Sequence, residues 1–383
     1  MTNPLFRSAC AVFALGATLC ASAAAPSVPG VTATTIVIGQ SAPLSGSNRE
    51  LGEDIRDGAL AYFKKVNDQG GVYGRRIELA TLDDANNTKR AAANTRRLID
   101  ELRVFALYGY ASATLSGPAL PLVAEAKIPF IGPFTGAAPM RVFNKYVYNI
   151  RASYADELEK IVDHYSLFGI KRFAIVHYDD PIGNANYGIV ERALKQRGLS
   201  PVSVAAFKDR NNPDIAGGVS AVLKGSPDVV ILTTLYKTSA DFIKAALRAG
   251  STAQMISNSF PGASPLAQAL GKDGVGVAIA QVVPPVTKAS VPIVAEYREA
   301  AEKLLGRKDF SFSSLEAYIG AKVMVEAIRR AGPKLTRESF MQALDSMSNY
   351  DAGGYFLSFS PTNHNGSSFV ELTIIGKDDT FKY

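Results

Sequence analysis

Two pairs of adjacent acids are the residues of this sequence best suited by type to acid–base chemistry. Asp83-Asp84 and Asp179-Asp180 each follow a short apolar run, and paired carboxyl groups can act as general acid and general base. Adjacent side chains on an extended segment point in opposite directions, however, and Asp is a favoured helix cap. This favours capping for Asp83-Asp84. For Asp179-Asp180, at a strand end beside Tyr178, capping and a functional role are both open.

Other catalytic signatures are missing from the sequence. The three histidines, His164, His177 and His364, have no spacing typical of a zinc site. The sequence also lacks the His-Glu-x-x-His, Gly-x-Ser-x-Gly, Gly-x4-Gly-Lys-Ser/Thr and Gly-x-Gly-x-x-Gly motifs. We therefore predict no catalytic residue, no metal site and no cofactor.

The segment "GPFTG", Gly132 to Gly136, indicates binding instead. Glycine and proline interrupt a short apolar strand there, and such a turn leaves backbone N–H groups unpaired. Five other predicted strand ends also carry small, hydroxyl-bearing or aromatic residues: "SAPLSG" (41–46), "YGYASAT" (108–114), "HYDD" (177–180), "TTLYK" (233–237) and "SNSFPG" (257–262). Ligands of parallel α/β sheets collect beyond the carboxyl ends of the strands. Together these six strand ends predict a ligand cleft.

Composition and the N-terminus indicate an exported protein. The net charge is +6, without a Lys/Arg cluster interleaved with aromatic residues, so no nucleic-acid partner is predicted. Residues 1–25 combine a single charge, Arg7, with a short apolar run and an Ala-x-Ala sequence ending at Ala23 or Ala25. This pattern is typical of a cleavable signal peptide. Cleavage after Ala23 is favoured, and Cys20 leaves lipidation as an alternative. Both cysteines fall in this segment, which fits a disulfide-free periplasmic protein.

The order of predicted elements indicates a two-lobed α/β fold. With 383 residues, the chain is long enough for two domains. Short apolar runs rich in β-branched residues alternate with segments of helical period, as in Leu51, Ile55, Ala59 and Phe63. This alternation predicts parallel sheets covered by helices on both faces. Breaks in the series fall at residues 146–157 and 281–292, and the tail changes to short strands without a helix.

Several long segments share the patterns of one protein family: "IVIGQSAPLSG", "GALAYFKKVNDQGGVYGRRIEL", "IPFIGPFTGA", "NIRASYADE", "VVILTTLYKTSADFIKAALRAG" and "SLEAYIGAKVMVEAIRRAGPKLTRESF". Through them nearly all of the mature sequence resembles the type I periplasmic binding proteins of ABC transporters, in the branch related to leucine/isoleucine/valine-binding proteins. The resemblance implies two Rossmann-like lobes, each a parallel sheet flanked by helices, joined by a three-stranded hinge. We expect the N-terminal lobe to contain residues 26–150 and 283–355. The C-terminal lobe would contain residues 151–282 and 356–383, with the third crossing near Tyr355.

The resemblance also implies which residues hold a ligand between the lobes. In relatives the segment matching "GPFTG" binds the ligand carboxylate, so Phe134, Thr135 and Gly136 would do so through backbone N–H groups and the Thr hydroxyl. The second wall of that anion site would contain Tyr110, Ala111 and Thr114, and Tyr154 and Tyr236 would cover the ligand. The other candidates, at the remaining strand ends, are Leu44, Ser45, Tyr178, Asp179, Asn258 and Phe260.

The segment "SNSFPG" departs from the pattern of α-amino-acid binders. Those relatives have an acidic residue about here that pairs with the ligand ammonium, whereas this sequence has Asn258, Ser259 and Phe260. A buried ammonium without a carboxylate is unfavourable. Either Asp179 or Asp180 supplies the missing carboxylate, or the ligand is an aromatic or aliphatic carboxylate without an α-ammonium group.

The expected function is therefore that of a solute receptor. A small carboxylate-bearing molecule would bind by hinge closure, and a monomeric receptor would deliver it to an ABC membrane permease. Two alternatives stay open: a periplasmic sensor for a signalling partner, and a secreted α/β enzyme that uses Asp179, Asp180 or His177.

Overall fold

The computed structural model describes Met1 and residues 28–46, 48–377 and 380–383. Apart from Met1, the predicted signal peptide lies outside the described residues. The strands of the described part are β1 (Thr35–Ala42), β2 (Arg76–Asp83), β3 (Ala106–Tyr108), β4 (Phe130–Ile131), β5 (Val147–Tyr148), β6 (Phe173–Tyr178), β7 (Ser203–Phe207), β8 (Val229–Leu232), β9 (Gln254–Ser257), β10 (Ala278–Gln281), β11 (Tyr350–Asp351), β12 (Phe356–Leu357), β13 (Glu371–Ile375) and β14 (Phe381–Lys382).

The helices of the same residues are α1 (Arg49–Asp68), α2 (Thr88–Asp100), α3 (Ser112–Ser116), α4 (Leu120–Ala126), α5 (Tyr154–Leu167), α6 (Pro181–Lys195), α7 (Ile215–Lys224), α8 (Tyr236–Arg248), α9 (Ala263–Leu270), α10 (Pro292–Leu305), α11 (Phe312–Ala331) and α12 (Arg337–Asp345). Among the described residues, no helix combines the length and apolar character needed to cross a bilayer.

The first lobe is built on a five-stranded parallel sheet with the order β2-β1-β3-β4-β5. Strand β3 is completely buried, as expected for a strand covered on both faces. Helix α1 packs on α10 and α11, which come more than 200 residues later in the chain. The C-terminal helices therefore belong to the first lobe.

The second lobe is built on a seven-stranded sheet with the order β14-β13-β10-β9-β8-β6-β7. The strands β6 to β10 pair in parallel, as predicted. The sequence pattern did not predict that β13 and β14 would pair antiparallel at the edge. No helix precedes β13 after the chain leaves the first lobe, and a parallel addition would require a long crossover connection.

The chain passes between the lobes three times. The first passage follows β5, the second lies between β10 and α10, and the third precedes β13. The first and third passages run side by side, because the N–H of Gly366 donates to the carbonyl of Asn149 over 2.8 Å. These passages place the carboxyl ends of both sheets on either side of one cleft.

The third passage comes later than the predicted position near Tyr355. Phe359 still packs on Tyr148 of the first lobe, with 5.5 Å between ring centroids, and Asn365 still bridges to Asn149. The chain therefore crosses between Gly366 and β13. The reason is that the polar turn after β12 packs against the first lobe before the chain leaves it.

Candidate ligand-binding site

A cleft of about 1150 Å³ lies between the two lobes. In the first lobe its wall consists of the start of α1, the β3–α3 junction and the segment after β4. In the second lobe its wall consists of the loops that follow β7, β8 and β9. Most of these segments follow the carboxyl ends of strands, where ligands of parallel sheets bind.

The "GPFTG" segment forms a tight turn that exposes side chains to the cleft. Gly132 has a φ of 62°, which glycine adopts without steric cost. Gly136 packs so closely on Tyr154 that a Cβ at this position would lie 2.5 Å from the tyrosine ring. The Thr135 hydroxyl lies 3.4 Å from that of Tyr154, and Phe134, Thr135 and Tyr154 all line the cleft.

The backbone N–H groups of this turn are less available than the sequence predicted. The N–H of Phe134 donates to the carbonyl of Tyr110, and the N–H of Thr135 donates to the carbonyl of Pro133, each over 2.8 Å. The Thr135 hydroxyl accepts the N–H of Ala137 over 3.1 Å. Because the turn satisfies these two N–H donors itself, a ligand in the cleft meets the aromatic side chains and the Thr135 hydroxyl, which also donates to the Tyr154 hydroxyl over 3.4 Å.

Arg151 is a buried charged residue in the cleft wall, and it was not among the predicted site residues. It lies in the first passage between the lobes, is 3% exposed and lines the cleft. Its guanidinium lies 5.7 Å from the ring centroids of both Phe134 and Tyr154. Arginine over an aromatic face is attracted by the ring quadrupole, most strongly when water is excluded. Together with Phe260, which packs edge-to-face on Tyr154 with 5.8 Å between centroids, these residues form an aromatic cage.

Two buried glutamates from different lobes hold Arg151. Its Nη2 lies 2.9 Å from Oε1 of Glu157 in α5, and its Nη1 lies 3.5 Å from Oε2 of Glu316 in α11. Ser259 joins this network: its N–H donates to Oε2 of Glu157 over 2.6 Å, its hydroxyl to Oε1 over 2.8 Å, and Nη2 of Arg151 donates to that hydroxyl. The Nε–H of Arg151 has no hydrogen-bond partner in the described part of the chain.

Burial raises the pKa of both acids. Desolvation raises the pKa of Glu316 from 4.5 to about 7, against the opposing attraction of Arg151. Desolvation also raises the pKa of Glu157, although Arg151 and Ser259 oppose it. Arg141 lies behind Arg151 and donates to the carbonyls of Arg151 and Thr135 over 2.8 and 2.9 Å, so the cage has a second cation nearby.

Six of the predicted binding residues line the cleft: Thr114, Phe134, Thr135, Tyr154, Tyr236 and Phe260. The other eight do not appear in its wall. Leu44 and Ser45 form a turn around Asp83, to which the Leu44 N–H and the Ser45 hydroxyl donate over 2.9 and 2.6 Å. Gly136 supports Tyr154 from behind, as described above.

Three of these eight residues are buried: Tyr110 and Ala111, which follow β3 in the first lobe, and Tyr178 at the end of β6 in the second lobe. Tyr110 is fully buried and its hydroxyl lies 3.1 Å from that of Thr95, while Ala111 precedes α3. The Tyr178 hydroxyl donates to Thr238 over 2.8 Å, and Arg210 stacks 4.5 Å from the Tyr178 ring centroid. These side chains support the cleft walls from behind.

Asn258 and Asp179 have contrasting environments. Asn258 is fully buried, and neither polar atom of its amide has a partner among the described residues. Asp179 is exposed and accepts a hydrogen bond from Asn184 over 3.1 Å. Neither residue is part of the cleft wall.

The acid pairs have structural roles. Asp180 caps α6 by accepting the N–H groups of Ile182 and Gly183, each over 3.0 Å, and pairs with Arg210 at 2.6 Å. Desolvation opposes these interactions, but together they lower its pKa. The predicted capping role of Asp83-Asp84 is wrong, because Asn87 caps α2 instead.

Asp83 and Asp84 instead fix the end of β1. Asp84 accepts the Ser41 hydroxyl over 2.8 Å, and Asp83 holds the turn at Leu44 and Ser45. Despite a desolvation penalty, hydrogen bonds from Ser45, Ala85 and Leu44 lower the pKa of Asp83 to about 2.

Two α/β lobes, three chain passages and a cleft at the carboxyl ends of both sheets define a two-lobed solute-binding protein. The chain belongs to the periplasmic binding protein family: the family described as "Periplasmic binding protein" matches residues 35–377. It is a type I periplasmic binding protein related to leucine/isoleucine/valine-binding proteins, which confirms the predicted family and fold class.

Several relatives illustrate this similarity. The Leu/Ile/Val-binding protein homolog 8 of Brucella abortus strain 2308 is 28% identical over 343 residues, covering 84% of each chain. The structure of a possible leucine/isoleucine/valine-binding protein from Rhodopirellula baltica SH 1 is 30% identical, with a TM-score of 0.84 over 91% of this chain and 96% of that one. A substrate-binding periplasmic protein from Ralstonia solanacearum is 30% identical, with a TM-score of 0.83 over 90% and 99% of the two chains.

Proposed function

We infer that this protein is the periplasmic solute receptor of an ABC importer. It captures a small carboxylate-bearing solute between its lobes, closes about the three passages and delivers the solute to a membrane permease. Export through a signal peptide at residues 1–25, a monomeric state and the lack of catalytic activity are parts of the same proposal. The predicted lobe boundaries are also part of this proposal, except that the third passage is placed after Gly366 and not near Tyr355.

The observation that carries this proposal is a buried arginine in an aromatic-lined cleft between two lobes. Arg151 is held by Glu316 of the first lobe and by Glu157 and Ser259 of the second. A solute at this position touches both lobes, and it stabilises the closed form to the extent that it binds that form better. Family membership supports a binding role over catalysis.

The first experiment is a ligand screen on protein freed of bound solute. The mature protein is unfolded, refolded and mixed with α-amino acids, including leucine, isoleucine and valine, and with aromatic and aliphatic carboxylates. A ligand at about 100 times its dissociation constant adds about 2.7 kcal/mol to the free energy of unfolding. We expect a thermal shift with a carboxylate-bearing solute and a smaller radius of gyration in small-angle X-ray scattering.

A screen without any response, including none to a cell extract, would contradict the role as a solute receptor. A response to a solute without a carboxylate would support the receptor role but refute the proposal that the ligand bears a carboxylate. Stimulation of the ATPase activity of a reconstituted permease by the loaded protein would test the delivery step, and turnover of the bound solute would favour the enzyme alternative.

A further inference from the structure

We propose that Arg151 determines the specificity of the cleft and that the solute is a carboxylate without an α-ammonium group. The Nε–H of Arg151 donates to the ligand carboxylate, and the rings of Phe134 and Tyr154 enclose its apolar part. This inference deepens the proposed function and rests on it.

The first argument is the unused donor of Arg151. The side chain is 3% exposed, and its Nη atoms are engaged by Glu157, Glu316 and Ser259, while its Nε–H has no partner in the part of the chain that the structure describes. A buried donor of a charged group that lacks an acceptor is unfavourable. A carboxylate in the cleft supplies that acceptor and forms the stronger, charge-assisted type of hydrogen bond.

The second argument is the charge around the cage. A ligand ammonium would meet the Arg151 cation, with Arg141 behind it, and like charges disfavour each other. Glu157 is no free partner for an ammonium, since it already accepts hydrogen bonds from Arg151 and from both the N–H and the hydroxyl of Ser259. The cage therefore favours an anion and disfavours a cation.

The acids elsewhere in the cleft do not alter this preference. Glu53 is paired with Arg49, and Asp54 is paired with Arg307 and accepts the Ser311 hydroxyl. The remaining lining acids, Glu50 and Asp241, are exposed. An ion pair in contact with water contributes little to affinity. Glu50 and Asp241 therefore do not offset the unfavourable free energy of burying an ammonium group beside Arg151.

The third argument is that Glu316 can release Arg151 for an incoming anion. Ionised Glu316 competes with a ligand carboxylate for Arg151, whereas neutral Glu316 does not. Because desolvation raises its pKa to about 7, this acid changes charge near neutral pH. The titratable and charged groups that face it are Arg151, Glu157, Arg141, Tyr108 and Tyr355, and burial raises the pKa of both tyrosines, which keeps them neutral.

The test compares pairs of probes that differ only in the α-ammonium group. Stripped wild-type protein is titrated calorimetrically with 4-methylpentanoate against leucine, and with 3-phenylpropanoate against phenylalanine. In any pair of which at least one member binds, we expect the dissociation constant of the member without the ammonium group to be at least 10-fold lower. Equal or tighter binding of the amino acid would overturn the proposal, and this comparison needs no variant.

Two variants test the residue itself. Arg151→Lys keeps the positive charge but removes the Nε–H, and we expect it to weaken the carboxylate probe about 10- to 150-fold, the equivalent of about 1.5–3 kcal/mol. Arg330→Lys is the matched control, because Arg330 also stacks on a tyrosine, Tyr350, but is not part of the cleft wall and donates its Nε–H to Glu326. Similar losses in both variants would overturn the role of Arg151.

The Glu316→Gln variant remains informative if Arg151→Lys does not fold. In wild type the affinity for the carboxylate probe should fall up to 10-fold per pH unit above pH 7, and in Glu316→Gln it should stay nearly constant from pH 6 to pH 8.5. Parallel pH profiles of the two proteins would overturn the competition between Glu316 and the ligand. Binding of a solute without a carboxylate refutes the inference but keeps the receptor role, whereas binding of no solute refutes the proposed function itself.

Discussion

Replacing Glu316 by glutamine should remove a loss of stability that the wild-type protein undergoes between about pH 5 and pH 8. Glu316 lies in α11, is 7% exposed and is 3.5 Å from Arg151. Desolvation raises its pKa from 4.5 to about 7, because removing water from the carboxylate outweighs the attraction of Arg151. Glutamine has nearly the same shape and is neutral at every pH, so the change isolates the cost of ionising this buried acid.

The direction of the effect follows from proton binding. Below pH 4.5 both the folded and the unfolded chain carry the proton, and the stabilisation from the raised pKa is fully present. Between pH 4.5 and about 7 the unfolded chain loses its proton while the folded chain keeps it, so the free energy of unfolding falls as pH rises. At about 1.36 kcal/mol for each pKa unit, raising the pKa from 4.5 to about 7 removes about 3 kcal/mol of stability by pH 8.

Urea unfolding of ligand-free protein at pH 5, 6, 7 and 8 measures this effect. The free energy of unfolding of Glu316→Gln minus that of wild type should rise by about 2.5 kcal/mol between pH 5 and pH 8. Glu125→Gln, which removes an exposed carboxylate of α4, controls for the loss of one negative charge. A difference that stays constant with pH would refute the reasoning, because it would mean that Glu316 titrates alike in the folded and unfolded chains.

Three further substitutions test individual contacts of the cleft. Thr135→Val removes the hydroxyl that faces the cleft and should weaken the carboxylate ligand by roughly 1.5–3 kcal/mol in calorimetric titration; unchanged affinity would move the carboxylate away from Thr135. Tyr236→Ala should lower affinity with little change in the urea midpoint, since the side chain is half-buried in the cleft wall; equal binding would exclude Tyr236 from the site. Ser259→Ala leaves buried Glu157 without one donor and should lower the free energy of unfolding by about 1–3 kcal/mol, whereas unchanged urea unfolding would show that water replaces the hydroxyl.

Sequence periodicity predicted the fold because the local pattern and the tertiary environment agree. Strand β6, "FAIVHY", is apolar over most of its length and completely buried, and α5 begins with the capping box formed by Ser153 and Asp156. The antiparallel edge could not be predicted in this way. Its orientation depends on where the third passage enters the second lobe, and "ELTII" would satisfy either orientation.

The residue pattern predicted the site only where it consists of strand ends. Thr135 and Phe260 belong to such segments and line the cleft, whereas Tyr154, which also lines it, was expected only from the family resemblance. The sequence places Arg151 only within the break at residues 146–157, because its partners Glu157 and Glu316 come from different elements and their proximity is tertiary. One local signal was present. Glu316 is the only acid in the first half of α11, residues 312–321, where its neighbours Leu315, Ala317 and Ile319 are apolar. A buried acid in such a stretch requires a partner.

In the proposed receptor, the position of Arg151 would make recognition and closure depend on one residue. Because it lies in a passage between the lobes, Arg151 is bound by Glu316 on one side and by Glu157 and Ser259 on the other. Separating the lobes around it would expose or unpair at least one buried charge, and a ligand carboxylate adds a contact that exists only when the cage is assembled. A ligand shifts a conformational equilibrium only by its difference in affinity for the two states. By the proposal, a ligand carboxylate bound to Arg151 would add to that difference, because the partners that hold Arg151 come from both lobes.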